Sequence, residues 1–255
     1  MNGYQIEEYL GVGSFGAVVR ASKGGETVAI KALMDTENPT SKLNLEISIL
    51  SNLNHPCIPR FIESFSQGNV SYLVQEFIHG YPLSYYIVHG KRFEEAEVKQ
   101  IISQLLTILV LLHEPPLGKS PIIHRDLRLS NLFWVNSQLY LIDFGLADYY
   151  SGNTLTPSIL QPEGIEQKLR RKPGAATYNF LRKEISPRSD LFGTGVVALD
   201  LFTNWIEDEA IFQQPWQKNL PASRDFIDFL ERLLTPETQF ISAAEALNGL
   251  QLQDE

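Results

Sequence analysis

The chain has 255 residues, of which 44% are hydrophobic and 20% are charged; this is close to an average folded domain, so wholesale disorder and fibrous classes are excluded. Thirty acidic residues against 21 basic ones give a net charge of −9, which argues against a general nucleic-acid binder because such binding needs basic side chains that neutralise phosphates. The one cysteine, Cys57, excludes an internal disulfide and a cysteine-rich zinc site.

Strand patterns occupy about the first 75 residues. The segments YQIEEYLGVG, AVVRA and TVAIKAL come first, and the turn at Lys23–Glu26 predicts a hairpin between the second and third. One helix interrupts them, opened by a cap at Thr40 or Ser41 after Pro39. Four of its residues share one helical stripe: Leu43, Glu46, Leu50 and Leu53. The segment SYLVQEF then predicts a further strand.

After about residue 80, most hydrophobic residues recur with the spacing of a helix. They cover the segments EEAEVKQIISQLLTILVLLHE, DLFGTGVVALDLFTNW, DFIDFLERLL and SAAEALNGL. Two short strands, 132–135 and 139–142, are joined by Asn136 and Ser137 and predict a hairpin. The outcome is an α+β chain with a small antiparallel lobe that contains one helix, a larger helical lobe, and a linker near 75–80.

Nothing in the sequence predicts a membrane protein. The longest apolar stretch, Leu105 to Leu112, is shorter than the roughly 18 residues that a membrane helix needs. The first residues lack the basic stretch and apolar run of a signal peptide. We therefore expect a cytoplasmic protein without a membrane span.

A glycine-rich turn joins the first two strands. Its residues are Gly11, Val12, Gly13, Ser14, Phe15 and Gly16. The GxGxxG spacing is a weak signal by itself, because a plain hairpin gives the same pattern. A strand follows these glycines instead of a helix, which disfavours a dinucleotide-binding fold. Such glycines allow backbone N–H groups to approach a polyphosphate.

Lys31 and Glu46 form the first predicted polar pair. Strand alternation places Ala29 and Lys31 on one face, and Lys31 alone would be an ordinary exposed lysine. Glu46 lies inside the apolar stripe of the helix, where a carboxylate without a cation is costly to desolvate. Lys31 is the natural partner, whereas the alternative for Glu46 is a solvated position on the helix face.

The motifs HRDLRLSN at 124–131 and DFG at 143–145 carry the strongest chemical signal. The hairpin between them predicts that Asn131 and Asp143 lie side by side. Oxygen ligands of this type suit Mg²⁺, which binds a few protein oxygens together with substrate phosphates. Asp126 lies five residues before Asn131 and can reach a hydroxyl group presented to that phosphate. Each residue taken singly also fits a turn or a cap.

Taken in this order, the motifs resemble those of eukaryotic-type protein kinases, and especially bacterial members, from residue 4 to about residue 250. The resemblance implies a bilobal kinase fold in one catalytic domain, 1–255, divided into 1–78 and 79–255. It also implies transfer of the γ-phosphoryl group of ATP, with Mg²⁺, to Ser or Thr of protein substrates, including the chain itself. No nucleic-acid partner is expected.

The resemblance also implies a role for each site residue. Lys31 would hold the α- and β-phosphates, and Glu46 would anchor it. Asp126 would accept or orient the hydroxyl proton, Arg128 would face the transferred group, and Asn131 with Asp143 would bind Mg²⁺. The expected nucleotide contacts beyond the glycine-rich turn are Val18, Ala29 and Phe133 around the adenine, Gln75 as gatekeeper, and a hinge of Glu76, Phe77 and Ile78.

Departures from the family pattern concern the peptide-docking segment. GAATYNFLRKE replaces a G-T-x-x-Y-x-A-P-E segment, with only Thr177 and Glu184 matching. Gln239 and Phe240 stand where Arg and Pro are expected, so Glu184 lacks its usual arginine and is expected to be exposed or to pair with a local cation such as Arg188. Asp190 resembles the aspartate that braces the catalytic loop.

The long segment between Asp143 and Glu184 predicts control by phosphorylation, because Arg125 resembles the arginine that receives a loop phosphate. The basic run 168–172 is either a solvated loop or a dock for an acidic peptide or a phosphate. Two alternatives stay open. One is an idle kinase-like module that binds a nucleotide or a partner, and the other is a small-molecule kinase, against which Arg125 argues.

Overall fold

The structure, a computed structural model, describes residues 1–13, 16–34, 39–152, 185–204, 215–235 and 239–252. Contacts divide the chain into two compact units. The first unit comprises Met1–Gly80 and Tyr140–Ala147, and the second comprises Tyr81–Leu139 and Asp148–Glu255. Nothing in the sequence patterns indicated that residues 140–147 belong to the first unit.

Five antiparallel strands and one helix build the first unit. They are β1 (Gln5–Gly13), β2 (Gly16–Lys23), β3 (Glu26–Met34), α1 (Pro39–Asn52), β4 (Phe61–Gln67) and β5 (Val70–Glu76). The sheet order is β1-β2-β3-β5-β4. Gly24 and Gly25 have φ of 62° and 88°, which is the backbone a two-residue hairpin turn requires, so the predicted β2–β3 hairpin forms where the sequence indicated it.

Alternation along β3 separates two environments. Val28 and Ile30 pack with Tyr4, Ala21 and Val74 in a buried apolar cluster. Ala29 and Lys31, which alternate with them, therefore lie on the opposite face of the sheet. In α1 the predicted stripe is present, since Leu43, Glu46 and Leu50 are buried. Leu53 lies one residue beyond the end of the helix.

The second unit contains the remaining elements, apart from the last two residues of one strand. They are β6 (Tyr81–Pro82), α2 (Leu83–Val88), α3 (Glu95–His113), β7 (Ile122–Ile123), a 3₁₀ turn (Leu129–Asn131), β8 (Leu132–Val135), β9 (Gln138–Leu141), β10 (Asp148–Tyr149), α4 (Pro187–Thr203), a second 3₁₀ turn (Trp216–Lys218), α5 (Arg224–Leu234) and α6 (Ala243–Gln251). That strand is β9, whose Tyr140 and Leu141 belong to the first unit. The strand order β6-β8-β9 confirms that β8 and β9 are bonded neighbours. The predicted α+β class is confirmed.

The helix α3 is the core helix of the second unit. A capping box of Glu94 and Glu97 fixes its start. Its buried residues are Val98, Ile101, Ile102, Leu105, Leu106, Ile108, Leu109, Leu112 and His113. Among the described residues it is the one helix long and apolar enough to cross a membrane by length and composition, and half of its apolar window is buried inside the protein, as in many soluble cores.

Candidate active site

Lys31 lies between two carboxylates in the first unit. Its Nζ is 2.9 Å from both carboxylate oxygens of Glu46 and 2.8 Å from Oδ1 of Asp143. The side chains of Lys31 and Glu46 are 10% and 3% exposed. The pair expected from the sequence is therefore formed, and Asp143 joins it as a third charged group.

The three charges change one another's pKa. Burial alone would lower the pKa of Lys31, but the carboxylates of Glu46 and Asp143 outweigh it and raise that pKa. Burial raises the pKa of Glu46, and the nearby Asp143 adds to this effect while Lys31 opposes it. Two carboxylates around one ammonium group carry a net negative charge, so the cluster can accept a further cation.

The sheet presents the predicted nucleotide contacts on one face. Gly11 lies opposite Val18 and Val18 opposite Lys31, and Ala29 lies opposite Gln75. Because opposite residues share a face, all of these point to the side that carries Lys31. Glu76 lies opposite Val28 and thus on the other face, where its carboxylate accepts the backbone N–H of Arg60 at 3.2 Å. The backbone N–H of Glu76 donates to the Arg60 oxygen at 2.9 Å, so the role expected of Glu76 would fall to its backbone carbonyl oxygen.

Gly16 shows why the turn needs glycine. Its φ is 127°, and a Cβ atom built there would collide with the backbone oxygen of Ala32 on β3.

The other predicted contacts of the turn and the hinge differ in exposure. Val12 is exposed. Phe77 and Ile78, the other predicted hinge residues, are half-buried. Ser14 and Phe15 lie outside the described residues, so their expected contacts stay predictions.

Asp126 and Asn131 are bonded to each other in the second unit. The Asn131 Nδ2 donates to the backbone oxygen and to Oδ2 of Asp126, both at 2.9 Å, and both residues are buried. This amide orientation directs Asn131 Oδ1 away from Asp126, which is what an oxygen ligand for a metal requires. Arg128 is half-exposed, and its Nε donates to Ser130 Oγ at 2.9 Å and lies 4.0 Å from Asp126 Oδ2.

Asp190 of α4 holds the loop that carries Asp126 by hydrogen bonds. The carboxylate of Asp190 is fully buried and accepts the backbone N–H groups of His124 and Arg125, each at 2.7 Å. His113, at the end of α3, places its Nε2 3.0 Å from Asp190 Oδ2. Arg125 has a φ of 66°, an unusual backbone for this residue type that these bonds help to hold. The bracing role expected of Asp190 agrees with this geometry.

Three further features lie in or near the motifs. Asp143 has a φ of 62°, and its Oδ1 also accepts the backbone N–H of Gly145 at 3.2 Å. Arg125 Nη1 lies 3.7 Å from Asp148 Oδ2 on β10, a partner that the sequence did not indicate. Phe133, the predicted adenine contact from β8, is half-buried and lies opposite Pro82.

Gln239 occupies the place of the expected arginine and makes bonds of its own. Its Oε1 accepts from Arg188 Nε at 3.1 Å, and its Nε2 donates to the backbone oxygens of Arg188 and Leu233. Phe240 is buried beside Phe229, with Arg232 over its ring. Glu184, Thr177 and the run 168–172 lie outside the described residues, so the expectations for them stay predictions.

The described residues contain no cluster of three or more His, Cys, Asp or Glu side chains that could hold a metal by themselves. Asp143 offers an anionic oxygen in the first unit and Asn131 a neutral oxygen in the second, and Mg²⁺ takes oxygen ligands of both kinds together with water and phosphate oxygens.

Comparisons with known proteins identify the family of this chain. The protein kinase domain family matches residues 4–248. Serine/threonine-protein kinase B of Synechocystis is 27% identical over 99% of this chain and 47% of that protein. The probable serine/threonine-protein kinase YbdM of Bacillus subtilis is 30% identical over 97% of this chain and 88% of that protein. A probable myosin light chain kinase of Dictyostelium discoideum is 31% identical over 96% and 81%.

The chain spans about half the length of the Synechocystis relative and most of the Bacillus one. These relatives confirm the predicted class of enzyme, a serine/threonine protein kinase, and give no support to an idle module or to a small-molecule kinase. Because the match covers nearly the whole sequence, the chain belongs to the protein kinase domain family.

Proposed function

We propose that this chain transfers the γ-phosphoryl group of ATP to Ser or Thr hydroxyls of protein substrates, with Asp126, Lys31 and Asp143 as the central residues. One observation carries the proposal: the buried Lys31 ammonium group is held at 2.8–2.9 Å by both Glu46 and Asp143. Its three N–H donors face three carboxylate oxygens, so the ammonium group would meet phosphate oxygens by releasing Asp143 to Mg²⁺ while Glu46 keeps it in place.

Lys31 would neutralise charge on the α- and β-phosphates while Glu46 keeps its side chain extended. Val18 and Ala29, on the same face as Lys31, would cover the adenine together with Phe133. Gln75 borders this region, and the backbone at Glu76 and Ile78 would bond the adenine edge. The glycine-rich turn 11–16 would cover the phosphates with its N–H groups.

Asp126 would orient the substrate hydroxyl and accept its proton. The bond from Asn131 Nδ2 to Asp126 Oδ2 at 2.9 Å fixes the carboxylate, and Asp190 fixes the backbone before it. Arg128, whose Nε lies 4.0 Å from Asp126 Oδ2, would place its guanidinium beside the transferred group. Asp143 and Asn131 would hold Mg²⁺, whose charge would offset that of the phosphates.

The experiment is incubation with radiolabelled ATP and Mg²⁺, alone and with a generic protein substrate, followed by phosphoamino-acid analysis. We expect label on Ser or Thr in both incubations, and none with Asp126→Asn. Label on Tyr alone would overturn the proposed specificity, and no label in any incubation would overturn the proposed activity. The cytoplasmic location remains a prediction from the sequence.

A further inference from the structure

The turn between β8 and β9 is held by a side chain from another element. Gln104 of α3 donates from Nε2 to the backbone oxygen of Ser137 at 2.9 Å. Its Oε1 accepts the backbone N–H of Leu139 at 2.9 Å and the Gln138 Nε2 at 2.7 Å. One side chain thus satisfies a donor and an acceptor of the turn backbone, as a neighbouring strand would.

The turn itself gains from such support. Asn136 and Ser137 have φ of 49° and 63°, the backbone of a two-residue hairpin turn that favours Asn followed by Gly. Serine is less suited than glycine to positive φ, so the second position carries strain that bonds from outside must offset. Gln104 supplies those bonds from α3, in which nine of the 19 residues are buried.

The supported hairpin leads directly to the metal-binding residue. β8 begins at Leu132, the residue after Asn131, and the backbone N–H of Asn131 is bonded to Arg128. Asn131 therefore has two constraints: the bonds of its amide to Asp126, and the path of the backbone into β8.

We propose that Gln104 is a positioning residue for metal-dependent ATP binding, acting through the hairpin on Asn131. The inference rests on the proposed function, because it takes Asn131 as a ligand of Mg²⁺. Gln104 touches no reacting group. Its loss should raise the Mg²⁺ concentration needed for half-maximal ATP binding severalfold, short of the roughly 10- to 100-fold that loss of a group bonded directly to a metal ligand costs.

The test is calorimetric titration of ATP over a series of Mg²⁺ concentrations with the full chain. Gln104→Leu should raise the Mg²⁺ concentration for half-maximal ATP binding severalfold, by less than about tenfold. Gln104→Glu should raise it too, because its carboxylate keeps the bond from the Leu139 N–H but faces the backbone oxygen of Ser137 without a donor. The matched control is Gln100→Leu, one helical turn earlier, where the exposed side chain makes no hydrogen bond with the described residues.

Ser137→Gly separates positioning from stability. Added to Gln104→Leu, it relieves the strain in the turn and should restore much of the Mg²⁺ response, whereas a side chain that only stabilises the helix would not be rescued there. An unchanged Mg²⁺ requirement in Gln104→Leu, or equal effects of Gln104→Leu and Gln100→Leu, would overturn the inference. Since the titration needs no phosphoryl transfer, a wild-type chain that binds ATP with Mg²⁺ and transfers nothing refutes the proposed function alone.

Discussion

The carboxylate of Asp126 can be tested with little change of structure. Asp126→Asn keeps the size of the side chain, so ATP binding should stay within about twofold of wild type, while phosphoryl transfer falls by about 10²- to 10⁴-fold because the proton acceptor is lost. Single-turnover rates and ATP titrations measure the two effects. Asp228→Asn, at an exposed position of α5, is the control. Near-wild-type transfer by Asp126→Asn would remove this residue from the catalytic role.

Lys31 and Glu46 should act as one unit. Lys31→Ala and Glu46→Ala should each lower kcat/KM, and the double variant should be little worse than Lys31→Ala alone, because both changes break the same 2.9 Å pair. Glu46→Ala should be the milder change, since Asp143 remains bonded to Lys31 at 2.8 Å. A double-mutant cycle of kcat/KM checks this, and fully multiplicative losses would show that the pair is absent from the active state.

At the level of elements, the N-terminal segment is tied to the sheet through Tyr4. The Tyr4 hydroxyl donates to Glu63 Oε1 at 2.7 Å, and Lys23 also bonds Glu63. Burial, followed by the bond to Glu63, raises the pKa of Tyr4 to about 12. The unfolded chain therefore loses this phenol proton first, and the stability that the bond contributes is full below about pH 10 and lost as the pH rises towards 12.

Tyr4→Phe should thus be less stable than wild type by about 1 kcal/mol near pH 8, and the difference should vanish as the pH approaches about 12. Urea unfolding at a series of pH values measures it. Tyr9→Phe, at a largely exposed position on β1, is the control and should show no such difference. A difference for Tyr4→Phe that persists unchanged at high pH would mean that the hydroxyl contributes no proton-dependent stability.

The elements also show how much of the fold the sequence patterns predict. Alternating hydrophobicity and turn glycines predicted β1, β2, β3 and β5. The carboxylate inside an apolar helical stripe predicted that Glu46 pairs with Lys31. The strands β6, β7 and β10 have two residues each, too few for any period to appear. The contacts of Gln104, His113 and Tyr4 join residues 33 to 77 positions apart, and only the folded chain brings such residues together.

At the scale of the whole molecule, binding of ATP should raise the melting temperature of the chain. ATP at about 100 times its dissociation constant stabilises a folded chain by about 2.7 kcal/mol, or roughly 5–10 °C in Tm for a chain of this size. We expect this shift with ATP and Mg²⁺ together. Asp143→Ala should abolish the part that depends on Mg²⁺, because Asp143 is the anionic ligand of the proposed pair. A Mg²⁺-dependent shift of wild-type size in Asp143→Ala would place the metal elsewhere.

The contact between Arg125 and Asp148 changes what a phosphate on the long segment could achieve. Arg125 already faces a carboxylate at 3.7 Å, so a phosphate that reached it would exchange one anion for another instead of meeting a lone cation. The free energy that phosphorylation can contribute is then the difference between the Arg125–phosphate pair and the Arg125–Asp148 pair. This difference is smaller than the free energy that a phosphate would gain by binding an Arg125 that faced only water. Removing the competitor, as in Asp148→Asn, should therefore make the chain respond more strongly to phosphorylation.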